Sequence, residues 1–148
     1  MLTIERSIKI GASVVTVWEL LSSQPNLRRW LEPGIEIDVS VGGKHRHISR
    51  EGNQLITGEV LEIEPMRKIA FSWFEDGPDT DWVNPIRFTF TLHEIPEGTL
   101  VTFVIDGFEQ IGKPTYHRTY EAYERGTERH HVLQNLRQAL EPDDGDGQ

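Results

Sequence analysis

A chain of 148 residues without a cysteine is the size of one domain, and it can bury a core without disulfides or metals. Its formal charge of −9, from 24 acidic and 15 basic residues, repels phosphate backbones and anionic bilayer surfaces, so neither is an expected partner. The N-terminus carries Glu5, Arg6 and Lys9 with no unbroken apolar segment behind them, which reads as neither a signal peptide nor a membrane-inserting helix and suits a cytoplasmic protein.

Leu2, Ile4, Ile8 and Ile10 share one face of a first strand, and Arg6 interrupts that face, either at a wet sheet edge or in a polar part of a cavity. Gly11-Ala12-Ser13 stops the strand, and Ser13 suits the N-cap of a helix whose stripe is Val14, Val17, Trp18 and Leu21. Pro25 suits the first turn of a second short helix carrying Leu27, Trp30 and Leu31 inward, closed by Pro33-Gly34. Residues 34–109 then read as about six strands joined by turn signals. Ile35, Ile37, Val39 and Val41 alternate before Gly42-Gly43. Residues 44–50 and 54–64 flank a turn at 51–53, and Pro65 ends the second of them. Ile69, Phe71 and Trp73 alternate ahead of a loop at 75–79. Ile86, Phe88, Phe90 and Leu92 alternate with polar residues, and Pro96-Glu97-Gly98 turns into a last strand over 99–108.

Residues 113–140 contain Pro114 only at their start and read as one long helix. Tyr116, Tyr120, Tyr123, Thr127 and His130 fall on one side, and Ala122, Gly126, Leu133, Leu136 and Leu140 lie about 120° round from them. Gly126 in mid-helix costs about 1 kcal/mol against alanine, which asks for close backbone approach or room for a bound molecule. The expected unit is residues 1–140, followed by an acidic, disordered tail at 141–148. The order of elements is an α+β arrangement: a curved antiparallel sheet crossed by a long C-terminal helix that leaves a pocket beneath it.

Several stretches carry a family likeness: Val17-Trp18 in the first helix, Trp30 closing the second, Gly42-Gly43-Lys44, Gly58 to Pro65 with the following Ile69 to Trp73, and Gly98 to Phe103 with Gly107-Phe108. In order and spacing the chain resembles the START-like (SRPBCC, Bet v 1-like) helix-grip superfamily, and within it the homologues of the activator of the heat-shock protein 90 ATPase. That resemblance implies a ligand cavity as the shared feature, with relatives that include lipid carriers, hormone binders and polyketide cyclases. It also suggests a chaperone partner and a stress-response role. Here Thr127 rather than tryptophan follows Gly126, and His45 stands where an aromatic residue is common, so the expected cavity is more polar than is usual in the family.

The expected ligand is a small apolar or aromatic molecule or a lipid. Its sheet wall would be Phe71, Trp73, Phe88, Phe90 and Phe103, with Trp82 nearby. Its helix wall would be Tyr116, Tyr120, Tyr123, Thr127 and His130. His45 and His47 share a strand face and would hydrogen-bond at the cavity wall; no third ligand is placed to make them a metal site. Trp18 and Trp30 read as structural packing. No Gly-x-Ser-x-Gly elbow, cysteine nucleophile or phosphate loop occurs, so no catalytic residue and no cofactor is assigned. The alternatives left open are a chaperone-ATPase-modulating interaction protein and a cavity enzyme of the cyclase or hydrolase type, in a monomer or homodimer.

Overall fold

The computed structural model describes residues 2–49, 54–77 and 82–141, with the backbone alone at 128–130. The turn expected at 51–53, residues 78 and 79 of the expected loop, the tail beyond 141 and the ring of His130 lie outside the described residues. The elements in chain order are β1 (Ile4–Ile10), α1 (Val14–Leu21), α2 (Gln24–Trp30), β2 (Glu36–Ile37), β3 (Lys44–Ile48), β4 (Leu55–Glu64), β5 (Lys68–Asp76), β6 (Ile86–Ile95), β7 (Gly98–Asp106), a single 3-10 turn at Phe108–Gln110, α3 (Tyr116–His130) and α4 (Val132–Leu140). The strands form one antiparallel sheet in the order β1-β7-β6-β5-β4-β3-β2.

Patterning explains the layers. In β6, Ile86, Phe88, Phe90 and Leu92 are buried, while Arg87 points outward. In β7, Val101, Phe103 and Ile105 do the same. Pairing of β4 with β5 shifts between Val60 and Glu62, so Leu61 is an extra residue; such a bulge bends the strand and adds to the curvature of the sheet. Ser13 and Ser23 cap α1 and α2, each accepting a backbone N–H with its hydroxyl. Trp30 donates its indole N–H to the Leu20 carbonyl at 2.7 Å, which locks α2 against α1.

Three expectations change in the structure. The strand read over 35–41 shrinks to Glu36–Ile37. Beyond it the chain turns back on itself through bonds from Ser40 N–H to Asp38 and from Gly43 N–H to Ser40, with Gly42 at φ 86°, so Val39 and Val41 leave the sheet. Glu75, placed in a loop, belongs to β5 and pairs with Ile56. The helix over 113–140 is two helices, because His131 takes a left-handed conformation, φ 53° and ψ 50°. Backbone bonds run on both sides of this joint, from His131 N–H to Thr127 and from Asn135 N–H to His131. The change of direction turns Leu133 and Leu136 into the core, where an unbroken helix would have left the leucine face far round from the aromatic one.

Candidate functional site

The concave side of the sheet and the helices α2, α3 and α4 border a partly open cavity of about 380 Å³. That is the scale of a small-molecule site. Its sheet wall is built from residues at alternate positions. Trp73 of β5 stacks on Phe88 of β6, with ring centroids 4.1 Å apart and planes 11° apart. Phe88 meets Phe103 of β7 edge-on at 5.3 Å. His47 of β3 lies 5.1 Å from Trp73, ring to ring. The opposite wall is Ala122, Tyr123, Gly126 and Thr127 from α3, followed by Val132 and Asn135 from α4. Spacings of three and four residues place these on one helix face, and Gly126 leaves bare backbone beside Tyr123.

Polar groups interrupt this apolar lining. Glu32, just beyond α2, places a carboxylate oxygen 4.0 Å from Nε2 of the buried His47. Glu75 accepts a hydrogen bond from the Tyr123 hydroxyl, and both residues line the cavity. Ser49, Gln54 and Asn135 add further polar surface. Thr127 donates its hydroxyl to the Tyr123 carbonyl at 2.8 Å, so its hydrogen is directed into the helix rather than into the cavity.

His45 is buried next to this lining but is not part of it. Its Nε2 sits 2.8 Å from the Ser72 carbonyl. A carbonyl only accepts, so Nε2 carries the hydrogen. The ring lies across Gly58, where a Cβ would come within 2.5 Å of Nε2 and 2.0 Å of the Ser72 oxygen. Burial lowers the His45 pKa from its ordinary 6.5, opposed by the bond to Ser72. The imidazole is therefore neutral, with Nδ1 meeting no hydrogen-bond partner among the described residues.

Of the residues the sequence proposed, His47, Trp73, Phe88, Phe103, Tyr123 and Thr127 line the cavity, whereas His45, Phe71, Trp82, Phe90, Tyr116 and Tyr120 do not; the side chain of His130 lies outside the described residues. Phe71 and His45 form an edge-on pair at 6.1 Å, away from the lining. Phe90 stacks on Phe103 at 4.4 Å and is fully enclosed by core. Trp82 packs edge-on to Phe74 at 6.0 Å and only approaches Tyr123 from outside, at 6.1 Å. Tyr120 packs on Phe108 at 5.4 Å and bonds Glu124. Desolvation, followed by the Glu124 charge, raises its phenol pKa above 10.0. Tyr116 lies against His117, nearly two turns before the cavity begins at Ala122. Trp30, read as packing only, contributes to the cavity wall as well. Glu32 and Glu75 were not foreseen. Glu75 carried a signal, because it sits two residues after Trp73 and so on the same strand face; Glu32 carried none beyond following Trp30-Leu31.

Among the described residues no group of three histidine or carboxylate side chains gathers closely enough to hold a metal ion. No helix among them is long and apolar enough to cross a membrane.

Comparisons with known proteins agree on the architecture. A protein from Mesorhizobium loti superimposes with a TM-score of 0.78 at 22% identity, covering 96% of this chain and 98% of that one. The Aha1 dimer from Colwellia psychrerythraea gives 0.70 at 20% identity, covering 96% and 98%. A Bacillus halodurans protein gives 0.66 at 26% identity, covering 93% and 96%. No curated protein matches the chain in sequence. The family model described as activator of Hsp90 ATPase homolog 1-like protein matches residues 11–141. With that match spanning most of its length and the helix-grip fold around it, the chain belongs to the family of activator of Hsp90 ATPase homolog 1-like proteins in the SRPBCC superfamily.

Proposed function

We propose that the protein binds a small molecule with an apolar or aromatic body in the cavity between the sheet and α3–α4, with residues 1–140 acting as one binding unit. The observation that carries this reading is the partly open space of about 380 Å³ between the Trp73–Phe88–Phe103 surface and the bare backbone of Gly126. A packed core leaves few voids larger than a water molecule, so a space of this size lined by aromatic rings has no structural purpose of its own. Trp30 and Trp73 both line it and report on an occupant. The test is quenching or blue shift of tryptophan fluorescence on titration with aromatic and aliphatic compounds, alongside thermal unfolding. A ligand at a hundred times its Kd stabilises the fold by about 2.7 kcal/mol. A panel that moves neither signal defeats the reading.

A second reading has one specific observation in its favour. His47 and Glu32 form an imidazole–carboxylate pair on the cavity wall, 4.0 Å apart. A carboxylate this near a cavity imidazole, though too far to hydrogen-bond it, makes His47 the candidate general base. Proton transfer within the cavity, of the kind a cyclase or hydrolase uses, would then depend on His47. Turnover of a substrate that survives His47→Gln unchanged excludes that role.

A further inference from the structure

His45 closes an irregularity in the sheet beside the cavity wall. Next to the shift in pairing between β4 and β5, side chains stand in for ladder partners. The Glu59 N–H donates to the Ser72 hydroxyl at 2.9 Å, and the Ser72 carbonyl accepts from His45 Nε2 at 2.8 Å. The residue after Ser72 is Trp73, whose ring lies 5.5 Å from that of His45 and stacks on Phe88 at the cavity wall. His45 thus supports a cavity-wall residue without lining the cavity itself.

This slot suits the imidazole in one protonation state. Nε2–H is used by Ser72, and Nδ1 is shielded from water with no hydrogen-bond partner. A second proton would put a charged donor at Nδ1 where nothing accepts it, and a buried charge without a partner is neutralised or expelled. Among the described residues no counter-charge meets the ring. Ile37 lies opposite His45 on β2, and the buried Ile56 and Val60 stand two residues either side of Gly58, its partner on β4. From β5 the ring meets Phe71 and Trp73. Lys44 and Arg46 are exposed on the opposite face of β3, where they pair with Glu59 and Glu36. The titratable groups on the cavity side are His47, Glu32, Glu75 and Tyr123, and none of them bonds to His45.

We propose that His45 is a positioning residue for the cavity wall and couples the cavity to pH: a proton taken up by its ring drives it from the slot, frees Trp73 from its stacked place and weakens the hold on a bound molecule. Ligand and proton then compete, each lowering the affinity for the other by the same factor. This rests on the cavity being a ligand site, and the experiment separates the two claims.

N-Phenyl-1-naphthylamine, an apolar fluorophore that stays uncharged over this range, is titrated against the full chain at about pH 7.5 and about pH 5.5, with far-UV circular dichroism checking that the fold persists at both. In the native chain the affinity is expected to fall about fivefold or more at the lower pH, within the ceiling of about tenfold per pH unit that one proton sets. His45→Gln, whose amide still offers Ser72 a donor, is expected to bind as the native chain does at the higher pH and to keep that affinity at the lower. His47→Gln is expected to retain the native dependence on pH. The native chain also gives a reading that needs no variant: saturating fluorophore is expected to move the NMR titration of the His45 ring to lower pH. Binding that ignores pH, an unmoved His45 titration, or a dependence that survives His45→Gln overturns the coupling while leaving the cavity reading intact. A dependence lost in His47→Gln instead assigns the proton to the cavity wall and also overturns it. Absence of binding at both pH values defeats the cavity reading and this inference with it.

Discussion

Tyr123 of α3 donates its phenolic hydrogen to Glu75 of β5, joining roof to floor of the cavity across 48 positions of sequence. A charge-assisted bond of this kind contributes roughly 1.5–3 kcal/mol when its surroundings are partly desolvated. Tyr123→Phe and Glu75→Gln are each expected to lower the urea midpoint. Because the partners touch, the double variant should lose less than the sum of the two, with a coupling of at least about 0.5 kcal/mol. Strict additivity would show that the contact contributes nothing to the stability of the fold.

The glycine beneath the His45 ring sets a second expectation. Gly58→Ala puts a methyl group within 2.0 Å of the Ser72 carbonyl oxygen, a main-chain atom that cannot move aside without breaking the sheet. A loss of about 2–4 kcal/mol is expected by chemical denaturation. Gly34→Ala is the matched control: nothing lies within 4 Å of its added methyl, and a change within about 0.5 kcal/mol is expected. Equal effects at the two sites contradict the packing described here.

His45 also makes stability depend on pH. Burial holds its pKa below 6.5 in the folded chain, whereas the unfolded chain titrates at about 6.5. Below that value the unfolded state binds the extra proton, so His45 stabilises the fold fully above the unfolded pKa. That contribution is lost as pH falls from there through the folded value, with a slope of at most about 1.4 kcal/mol per pH unit. Glu62 and Glu109 are held below 4.5 by Lys68 and by the Leu2 N–H respectively, so their contributions are lost only at more acid pH. Urea midpoints between pH 7.5 and 5 are expected to fall in the native chain and to fall less in His45→Gln, whose amide still offers Ser72 a donor. Parallel curves would remove His45 as the source.

Gly126 is expected to show binding and stability moving in opposite directions. Leucine there gains about 1 kcal/mol of helix propensity and fills part of the cavity beside Tyr123. A higher melting temperature together with loss of ligand-induced fluorescence change is the expected pair of results. A leucine variant that unfolds more easily would mean that the space beside Gly126 is not available to a side chain.

At His131 the backbone is left-handed without a glycine to relieve it. Glycine there relieves a left-handed penalty of about 1–2 kcal/mol but returns about 0.4–1 kcal/mol through a freer unfolded chain, so His131→Gly is expected to raise the urea midpoint slightly, and a lower midpoint contradicts the strain.

The strands were legible where one face is wet and the other buried. Phe88, Arg87 and Phe90 leave little choice of register, and Ser13 and Pro25 announce their helices by capping chemistry. Glu75 was lost because Asp76-Gly77-Pro78 so strongly suggests a turn that the strand was cut short before it. The tyrosines of α3 share a face, but a face has length: Tyr123 reaches the cavity while Tyr116 and Tyr120, two turns and one turn earlier, pack against His117 and Phe108 instead. The break at His131 had no signature, because histidine is not a residue that marks a left-handed position. Glu32 owes its place to the tertiary path of the chain after α2, which no local pattern encodes.

The ends of the sheet are unlike each other. At one end β2 contributes only Glu36 and Ile37, so almost no unpaired main chain is offered to another molecule there. At the other, β1 is seven residues long, and Glu5, Ser7 and Lys9 point to solvent along it. Short or charged margins of this sort resist edge-to-edge pairing between molecules. Both rims of the sheet are thus poor templates for a strand from a second molecule.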